Sequence, residues 1–276
     1  MVSMLKDITL GQFFPGNSAL HNRDPRIKII AAVIYIVSVF LCSSIASFCV
    51  LLAATLVFII MSGVPLKIIL KGLKPLVFIL AFTTIYNVFF HGGDTLLLDL
   101  KIVKIHLEGI IFAAVMMVRI VCLLIGSSIF LTYTTSPIML TDGLERLLKP
   151  LKVIKLPVHE FAMMTSIALR FIPTLIEETD KIMSAQKARG ADFSSGSLIQ
   201  RAKALVPILI PLFVSAFRRA SELAVAMECR CYRGESGRTR MKQLHVNFGD
   251  ILLLLVMAVI TAGIILISVY FPIMKI

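Results

Sequence analysis

Two arginines lie where long helical patterns end, and both could bind a carboxylate. Arg189 stands in the tripeptide Ala188-Arg189-Gly190, and Arg230 stands in Cys229-Arg230-Cys231. An arginine guanidinium is planar and permanently charged, and it can grip a carboxylate through two parallel hydrogen bonds. The pattern therefore predicts two docking points for acidic partner surfaces. The alternative is that both arginines only complement the negative ends of their helix dipoles, which is worth about 0.3–1 kcal/mol each.

Arg119 is the one charged residue in the apolar stretch 109–132. A charge inside a membrane is costly, so such a residue is by default a candidate for a functional site. The alternative is a structural role, in which Arg119 snorkels or pairs with a neighbouring helix, aided by Met116 and Met117. The sequence does not name its partner.

The sequence carries no recognised catalytic or nucleotide-binding motif. The nearest fragment to a phosphate-binding loop is residues 234–239, but its glycines are too close together and an arginine replaces the required lysine. The pair Cys229 and Cys231 lacks the spacing and the second pair of a zinc site. These features predict a chain that is not an enzyme and that holds no metal or cofactor of its own.

Two other classes of protein remain as alternatives. A stand-alone secondary carrier would need coupling-ion sites near the middle of the membrane, usually carboxylates, and the apolar stretches lack them. A membrane-embedded enzyme such as a lipid transferase would need clustered acids at the interface. The acids Glu177, Glu178 and Asp180 instead have the pattern of a solvated helix face.

The composition indicates that the chain is an integral membrane protein. The chain has 276 residues, 58% of them apolar and 16% charged, against about 25% charged residues in a typical soluble domain. Its net charge is +12, and residues 140–247 hold 17 of the 28 basic and 10 of the 16 acidic residues. We interpret the excess of basic over acidic residues in this segment as a determinant of membrane topology, not as a sign of nucleic-acid binding.

Five apolar stretches are long enough to cross a bilayer. We place the spans at about 27–46, 47–63, 75–93, 109–132 and 251–274, with a tight turn at Ser43 and Ser44 between the first two. The predicted fold is all-α: a polytopic membrane protein with about five transmembrane helices and a cytoplasmic coupling-helix region. The corresponding divisions are residues 1–132, 133–247 and 248–276.

Lysine and arginine set the predicted orientation. The loop near 64–74 holds Lys67, Lys71 and Lys74 without an acid, and the segment before the first span is also basic. The positive-inside rule places the N-terminus, this loop and residues 133–247 in the cytoplasm, and the loop near 92–107 outside.

Three helices are predicted in the long segment between the last two spans. Residues 141–155 form either an amphipathic helix along the inner interface or a solvated linker helix, shortened or kinked by Pro150. Residues 157–190 and 198–233 each begin apolar and end charged. The uncharged stretch 205–217 has only 13 residues, too few to cross. We therefore expect both helices to start against the membrane and to project their charged ends into the cytoplasm.

Several of these motifs together resemble one known family. The strongest match runs through residues 170–174, Glu177-Glu178 and residues 186–193, and a second lies in residues 16–26, where Asp24 is expected to cap a helix and Pro25 to begin it. Residues 134–137 also match. The chain resembles the transmembrane coupling component, or T component, of energy-coupling factor transporters. Cys229 and Cys231 replace the alanine and glycine of the family's second Ala-Arg-Gly motif.

The resemblance implies a division of labour between subunits. The two motif-bearing helices would dock two cytoplasmic ABC-type ATPases through Ala188, Arg189, Gly190, Cys229, Arg230 and Cys231, with Arg119, Arg170 and Asp24 as further candidates. ATP would be bound by these partners, and a separate membrane subunit would bind the substrate. The expected function is the coupling scaffold of an importer for vitamins or micronutrients in the cell membrane.

Overall fold

The computed structural model describes residues 13–90, 92, 96–100, 103–193, 197–234 and 243–270. The chain forms two compact units, one containing residues 147–242 and the other residues 10–146 together with 243–276. Residues 235–239 of the fragment compared with a phosphate-binding loop, and the predicted end of the last span at 271–274, lie outside the described residues.

The second of these units is built mainly from helices. In chain order its elements are α1 (Pro25–Leu41), α2 (Ile45–Ser62), α3 (Leu66–Leu73), a 3-10 turn (Lys74–Leu76), α4 (Val77–Phe90), strands β1 (Leu96–Leu100) and β2 (Val103–His106), α5 (Leu107–Ser128) continued by a π turn (Ile129–Tyr133), α6 (Pro137–Leu148) and α9 (Phe248–Tyr270). The predicted helical class is confirmed. The antiparallel hairpin of β1 and β2 is an addition that the sequence analysis did not include.

Five helices of the described part are long and apolar enough to cross a membrane: Ile45–Ser62, Leu66–Phe90, Leu107–Tyr133, Ile199–Cys229 and Phe248–Tyr270. The predicted number is the same, but the set differs. Helix α1 has 17 residues and measures about 26 Å, short of a hydrocarbon core of about 30 Å. It ends at Leu41, and Ser44 is already the N-cap residue of the next helix, so the predicted first span at 27–46 is too long.

The basic segment after the second span is helical and not a loop. Val64 and Ile69 are buried, whereas Lys67, Lys71 and Lys74 are exposed, so α3 is an amphipathic helix with a lysine face. The 3-10 turn at Pro75 then separates α3 from α4.

Tyr35 lies at the centre of the packed helices of this unit. Its hydroxyl is 2.7 Å from Oγ1 of Thr55 and donates to the carbonyl of Cys122 at 3.0 Å, which joins α1 to α2 and α5. Phe58 and Phe130 pack edge-on at 5.2 Å between ring centroids, beside the tyrosine ring. A polar group this deeply buried is tolerated because its hydrogen bonds are satisfied, and the bonds fix how the three helices pack.

The other unit consists of a 3-10 turn (Lys149–Ile154) and two long helices, α7 (Val158–Ala188) and α8 (Leu198–Cys229). Helix α7 continues through Pro173, and α8 continues through Pro207 and Pro211 for 32 residues. The expectation that residues 205–217 are too short to cross is therefore wrong on length, because the helix that contains them extends well beyond the uncharged stretch.

The helix predicted at 141–155 also has different limits. Helix α6 begins at Pro137, so the predicted first residue, Thr141, lies inside the helix. The 3-10 turn begins at Lys149, next to Pro150, in agreement with the predicted shortening.

Candidate functional site

The first arginine tip is a helix end closed by a Schellman motif. The amide of Ala191 donates to the carbonyl of Gln186 at 3.0 Å, and the amide of Gly190 donates to the carbonyl of Lys187 at 3.0 Å. These two bonds satisfy carbonyls that the last turn of a helix otherwise leaves without partners. Arg189 is the C-cap of α7 and is therefore held at the very end of the helix.

The second arginine tip repeats this geometry. The amide of Tyr232 donates to the carbonyl of Met227 at 3.0 Å, and the amide of Cys231 donates to the carbonyl of Glu228 at 2.8 Å. Arg230 is the C-cap of α8. Arg230 therefore occupies the same position in the second motif as Arg189 does in the first.

The residue after each arginine adopts a left-handed backbone. Gly190 has φ +85° and Cys231 has φ +55°. Glycine takes this conformation without strain, whereas a side chain costs about 1 kcal/mol or more. The cysteine that replaces glycine in the second motif therefore preserves the shape of the tip at an energetic cost. A Cβ added at Gly190 would meet no atom within 4 Å, so this glycine serves backbone conformation and not close packing.

Both guanidinium groups are exposed at the helix ends. Arg189 and Arg230 are exposed, and neither side chain has a hydrogen-bond or ion-pair partner within the part of the chain that the structure describes. Ala188 and Cys229, which precede them, are also exposed. Each tip thus presents a permanent positive charge on a rigid helix end, which is the arrangement that a bidentate carboxylate contact requires.

The two tips lie at opposite ends of an antiparallel helix pair. Nη2 of Arg219 binds Oε2 of Glu178 at 2.7 Å, and the hydroxyl of Tyr232 lies 3.2 Å from the sulfur of Met163. Moving forward along α8 therefore corresponds to moving backward along α7. Arg230 is level with a point roughly 23 residues before Arg189, or about 35 Å away at 1.5 Å per residue. The tips are too far apart to bind one carboxylate together.

Arg119 has a structural partner that the sequence could not name. Its Nη2 donates to the carbonyl of Cys42 at 2.8 Å, and its guanidinium lies 5.1 Å from the ring centroid of Phe48. Nη1 approaches the sulfur of Met116 at 3.7 Å, whereas Nε is buried without a described partner. Cys42 follows the last turn of α1, so the arginine supplies a donor where the helix ends. These contacts favour the alternative of pairing with a neighbouring helix.

Asp24 is the N-cap of α1, and Pro25 is the first residue of that helix, as predicted. Oδ1 of Asp24 accepts from the amide of Arg26 at 2.9 Å, and Oδ2 accepts from Nη2 of Arg26 at 2.8 Å. Burial raises the pKa of the Asp24 carboxyl, but the hydrogen bonds and charge of Arg26 outweigh burial and hold the pKa below its ordinary value of 3.8. Asp24 is therefore a charged anchor of the helix start.

The same anchor reaches the last helix. The amide of Asp24 donates to Oδ1 of Asp250 at 3.2 Å, and the amide of Asn247 donates to Oδ2 of Asp250 at 2.8 Å. Nη2 of Arg26 also donates to the carbonyl of Leu244 at 3.4 Å. This network fastens the start of α9 to the start of α1.

The sequence analysis missed Lys28, which is buried next to this network. Its Nζ donates to the carbonyl of Thr134 at 2.8 Å and to the carbonyl of His21 at 3.1 Å. A lysine in the first turn of an apolar helix was the available signal. Its partners are backbone carbonyls, and the sequence cannot identify them because every residue has one. Arg170, by contrast, is exposed, and its role stays a prediction.

Comparison with known proteins agrees with this architecture. The family described as cobalt transport protein (CbiQ) matches residues 16–242. The chain is 55% identical over 248 residues to the energy-coupling factor transporter transmembrane protein EcfT of Clostridium kluyveri, which covers 90% of this chain and 92% of that protein. It is 52% identical over 268 residues to the protein of the same name from Ruminiclostridium cellulolyticum, with 97% and 100% covered.

A protein of the same name from Listeria innocua is 47% identical over 258 residues, which covers 94% of this chain and 97% of that protein. The matches extend along nearly the whole chain and include both arginine tips. Together with the five apolar helices, they identify a multi-pass membrane protein. The chain belongs to the family of energy-coupling factor transporter transmembrane proteins.

Proposed function

We propose that this chain is the transmembrane coupling subunit of an ATP-driven importer for a vitamin or another micronutrient. Arg189 and Arg230 dock two ABC-type ATPases, and α7 and α8 transmit the motion of these ATPases to a separate substrate-binding membrane subunit. The chain is non-catalytic, and ATP is bound by its partners. It lies in the cell membrane with its N-terminus in the cytoplasm and with residues 133–247 on the cytoplasmic side, where α7 and α8 begin against the membrane and project their charged ends into the cytoplasm.

The observation that carries this proposal is that α7 and α8 both end in an exposed arginine with the same local geometry. Both tips have the same pattern of backbone hydrogen bonds, and both arginines lack a partner in the described residues. A separation of about 35 Å suits two partner molecules better than one. A helix dipole alone does not account for the arrangement, because dipole stabilisation does not need an arginine fixed at the C-cap position of both helices.

The polar groups buried among the membrane helices support a substrate site on another chain. The hydroxyl of Tyr35 is engaged by Thr55, and Oγ of Ser38 lies 2.7 Å from Oγ1 of Thr261. Arg119 is engaged by the carbonyl of Cys42. In the described residues these hydrogen bonds run from one helix to another, whereas a substrate pocket needs polar groups that converge on a ligand.

The apolar side of α8 supports a partner within the membrane. Ile210, Phe213 and Phe217 are exposed on this helix. Exposed apolar area of this kind marks contact with lipid or with another protein. We assign this apolar face of α8 to contact with the substrate-binding subunit, which moves against it within the membrane.

The test is purification of the chain in detergent with co-expressed ATPases and substrate-binding subunit. The double variant Arg189→Glu plus Arg230→Glu places a negative charge at both tips. We expect it to insert into the membrane at the wild-type level, to lose ATPase co-purification and to lose uptake. Retained ATPase recruitment by this variant would overturn the docking proposal.

A matched control separates docking from a general effect of charge. Lys181 on α7 and Arg218 on α8 are exposed, and each lies at least about 12 Å along its helix from the arginine at its end. The double variant Lys181→Glu plus Arg218→Glu makes the same change in net charge on the same helix pair. We expect it to retain both ATPases, and loss of both ATPases in this control would contradict the assignment of docking to the tips.

A further inference from the structure

The short helix α3 and the residue that follows it, Lys74, carry three lysines on one stripe. Lys67, Lys71 and Lys74 are spaced i, i+4 and i+7, which places them on one side of the helix. All three are exposed, and none has a hydrogen-bond or ion-pair partner in the described residues. Like charges at this spacing repel each other. The stripe is therefore a concentration of uncompensated positive charge that an anion would relieve.

Apolar side chains flank the lysine stripe. Leu66 is 60% exposed and Leu70 is 63% exposed, whereas Ile69 is 2% exposed and holds the helix against the core of its unit. A face that mixes exposed leucines with lysines suits the boundary between hydrocarbon and headgroups, because the leucines can enter the hydrocarbon while the ammonium groups remain with the phosphates.

The position of α3 along the chain supports the same placement. Leu66–Phe90 is a candidate membrane crossing, and α3 forms its first part. Further along this crossing, Phe78, Phe82 and Phe90 are exposed, as expected for side chains that face hydrocarbon. The lysine stripe lies at one end of an apolar helix, which is the level at which headgroups lie.

We propose that Lys67, Lys71 and Lys74 form a binding site for the headgroups of anionic phospholipids. Charge complementarity favours an anionic ligand, since the chain has no acidic residue from Gly63 to Gly93. The exposed leucines and the adjoining crossing favour a lipid over a soluble phosphate or an acidic protein. The proposal concerns a surface separate from the arginine tips, so it does not depend on docking of the ATPases.

The test measures retention of a labelled phosphatidylglycerol by the purified full-length chain in neutral nanodiscs of phosphatidylcholine. Basic residues near an anionic membrane surface are each worth a factor of about five. The triple variant Lys67→Gln, Lys71→Gln, Lys74→Gln should therefore bind phosphatidylglycerol about 100-fold more weakly. The difference from the wild type should shrink at high salt because the lysines are exposed.

Two variants make the result decisive. Lys67→Arg, Lys71→Arg, Lys74→Arg keeps the charge and should retain phosphatidylglycerol. Lys149→Gln, Lys181→Gln, Lys203→Gln removes three exposed lysines elsewhere and should change binding less than two-fold. Wild-type retention by the α3 glutamine variant, loss in the arginine variant or an equal loss in the distant variant would overturn the proposal. Displacement of the lipid by an equal concentration of inorganic phosphate would identify a phosphate site instead of a lipid site.

Discussion

The carboxylate of Asp24 offers a quantitative test of how the membrane unit is held together. Its side chain is 1% exposed, and that of its partner Arg26 is 25% exposed. Asp24→Ala removes both the helix cap and the ion pair. Asp24→Asn keeps an oxygen that can cap the helix and removes only the charge. Comparison of the two variants separates these contributions.

The magnitudes follow from the contacts. The cap is worth about 1 kcal/mol, and the forked contact of Arg26 with both carboxylate oxygens is worth about 2 kcal/mol after allowance for the partial exposure of the arginine. We expect Asp24→Asn to lower the free energy of unfolding by about 2 kcal/mol and Asp24→Ala by about 3 kcal/mol. For a unit of this size the larger value corresponds to a melting temperature about 6–12 °C lower.

The cysteines of the chain provide the assay. Cys42 and Cys122 are free and buried, whereas Cys49, Cys229 and Cys231 are exposed. With the exposed three changed to serine, a thiol-reactive dye reports unfolding of the membrane unit alone. Glu222→Ala, at an exposed acid of the other unit, serves as the control. It should change the free energy of unfolding of the membrane unit by no more than about 0.5 kcal/mol.

The pH dependence gives an independent check. The pKa of Asp24 is lowered in the folded state, so its ion pair contributes fully above the ordinary value of 3.8 and is lost as the pH falls through the lower folded pKa. The gap between the wild type and Asp24→Asn should be constant from about pH 5 to 8 and should close in stronger acid. Equal melting of the wild type, Asp24→Asn and Asp24→Ala at pH 7 would show that neither the cap nor the ion pair of Asp24 stabilises the unit.

Two further predictions concern glycines. A Cβ at Gly126 would overlap the ring of Tyr35, which is fixed by its own hydrogen bonds, so Gly126→Ala should destabilise the unit by about 1–3 kcal/mol in the same dye assay. Gly263→Ala has no atom within 4 Å of the new Cβ and should not destabilise it; equal effects of the two variants would contradict the packing. At the tips, Gly190→Ala introduces strain of about 1 kcal/mol and Cys231→Gly removes a similar strain. Hydrogen exchange of the capping amides should become about five-fold faster in the first variant and slower in the second, and unchanged rates in both would show that the left-handed backbone carries no strain.

Local patterns in the sequence were enough to predict some of the helix ends. Asp24 followed by Pro25 marks the start of α1, and Gly190 marks the end of α7. Both signals depend on neighbouring residues along the chain, so they can be recognised without the fold. The same applies to Arg189 and Arg230, whose place at helix ends follows from where apolar periodicity stops.

The contacts that the sequence could not reveal involve distant residues or backbone atoms. Arg119 and Lys28 bind carbonyl groups, and a carbonyl is present at every position. The antiparallel pairing of α7 and α8 depends on Arg219 meeting Glu178, one of several acids available to it. Helix α3 was predicted as a loop because its basic residues lie in a short segment between two long apolar stretches.

The most direct test of the central claim is the number of ATPases bound to each copy of this chain, measured by native mass spectrometry of the purified complex. We expect two ATPases for the wild type, one for Arg189→Glu, one for Arg230→Glu and none for the double variant. Two ATPases retained by the double variant, or none retained by either single variant, would contradict the claim that the two tips are separate docking points.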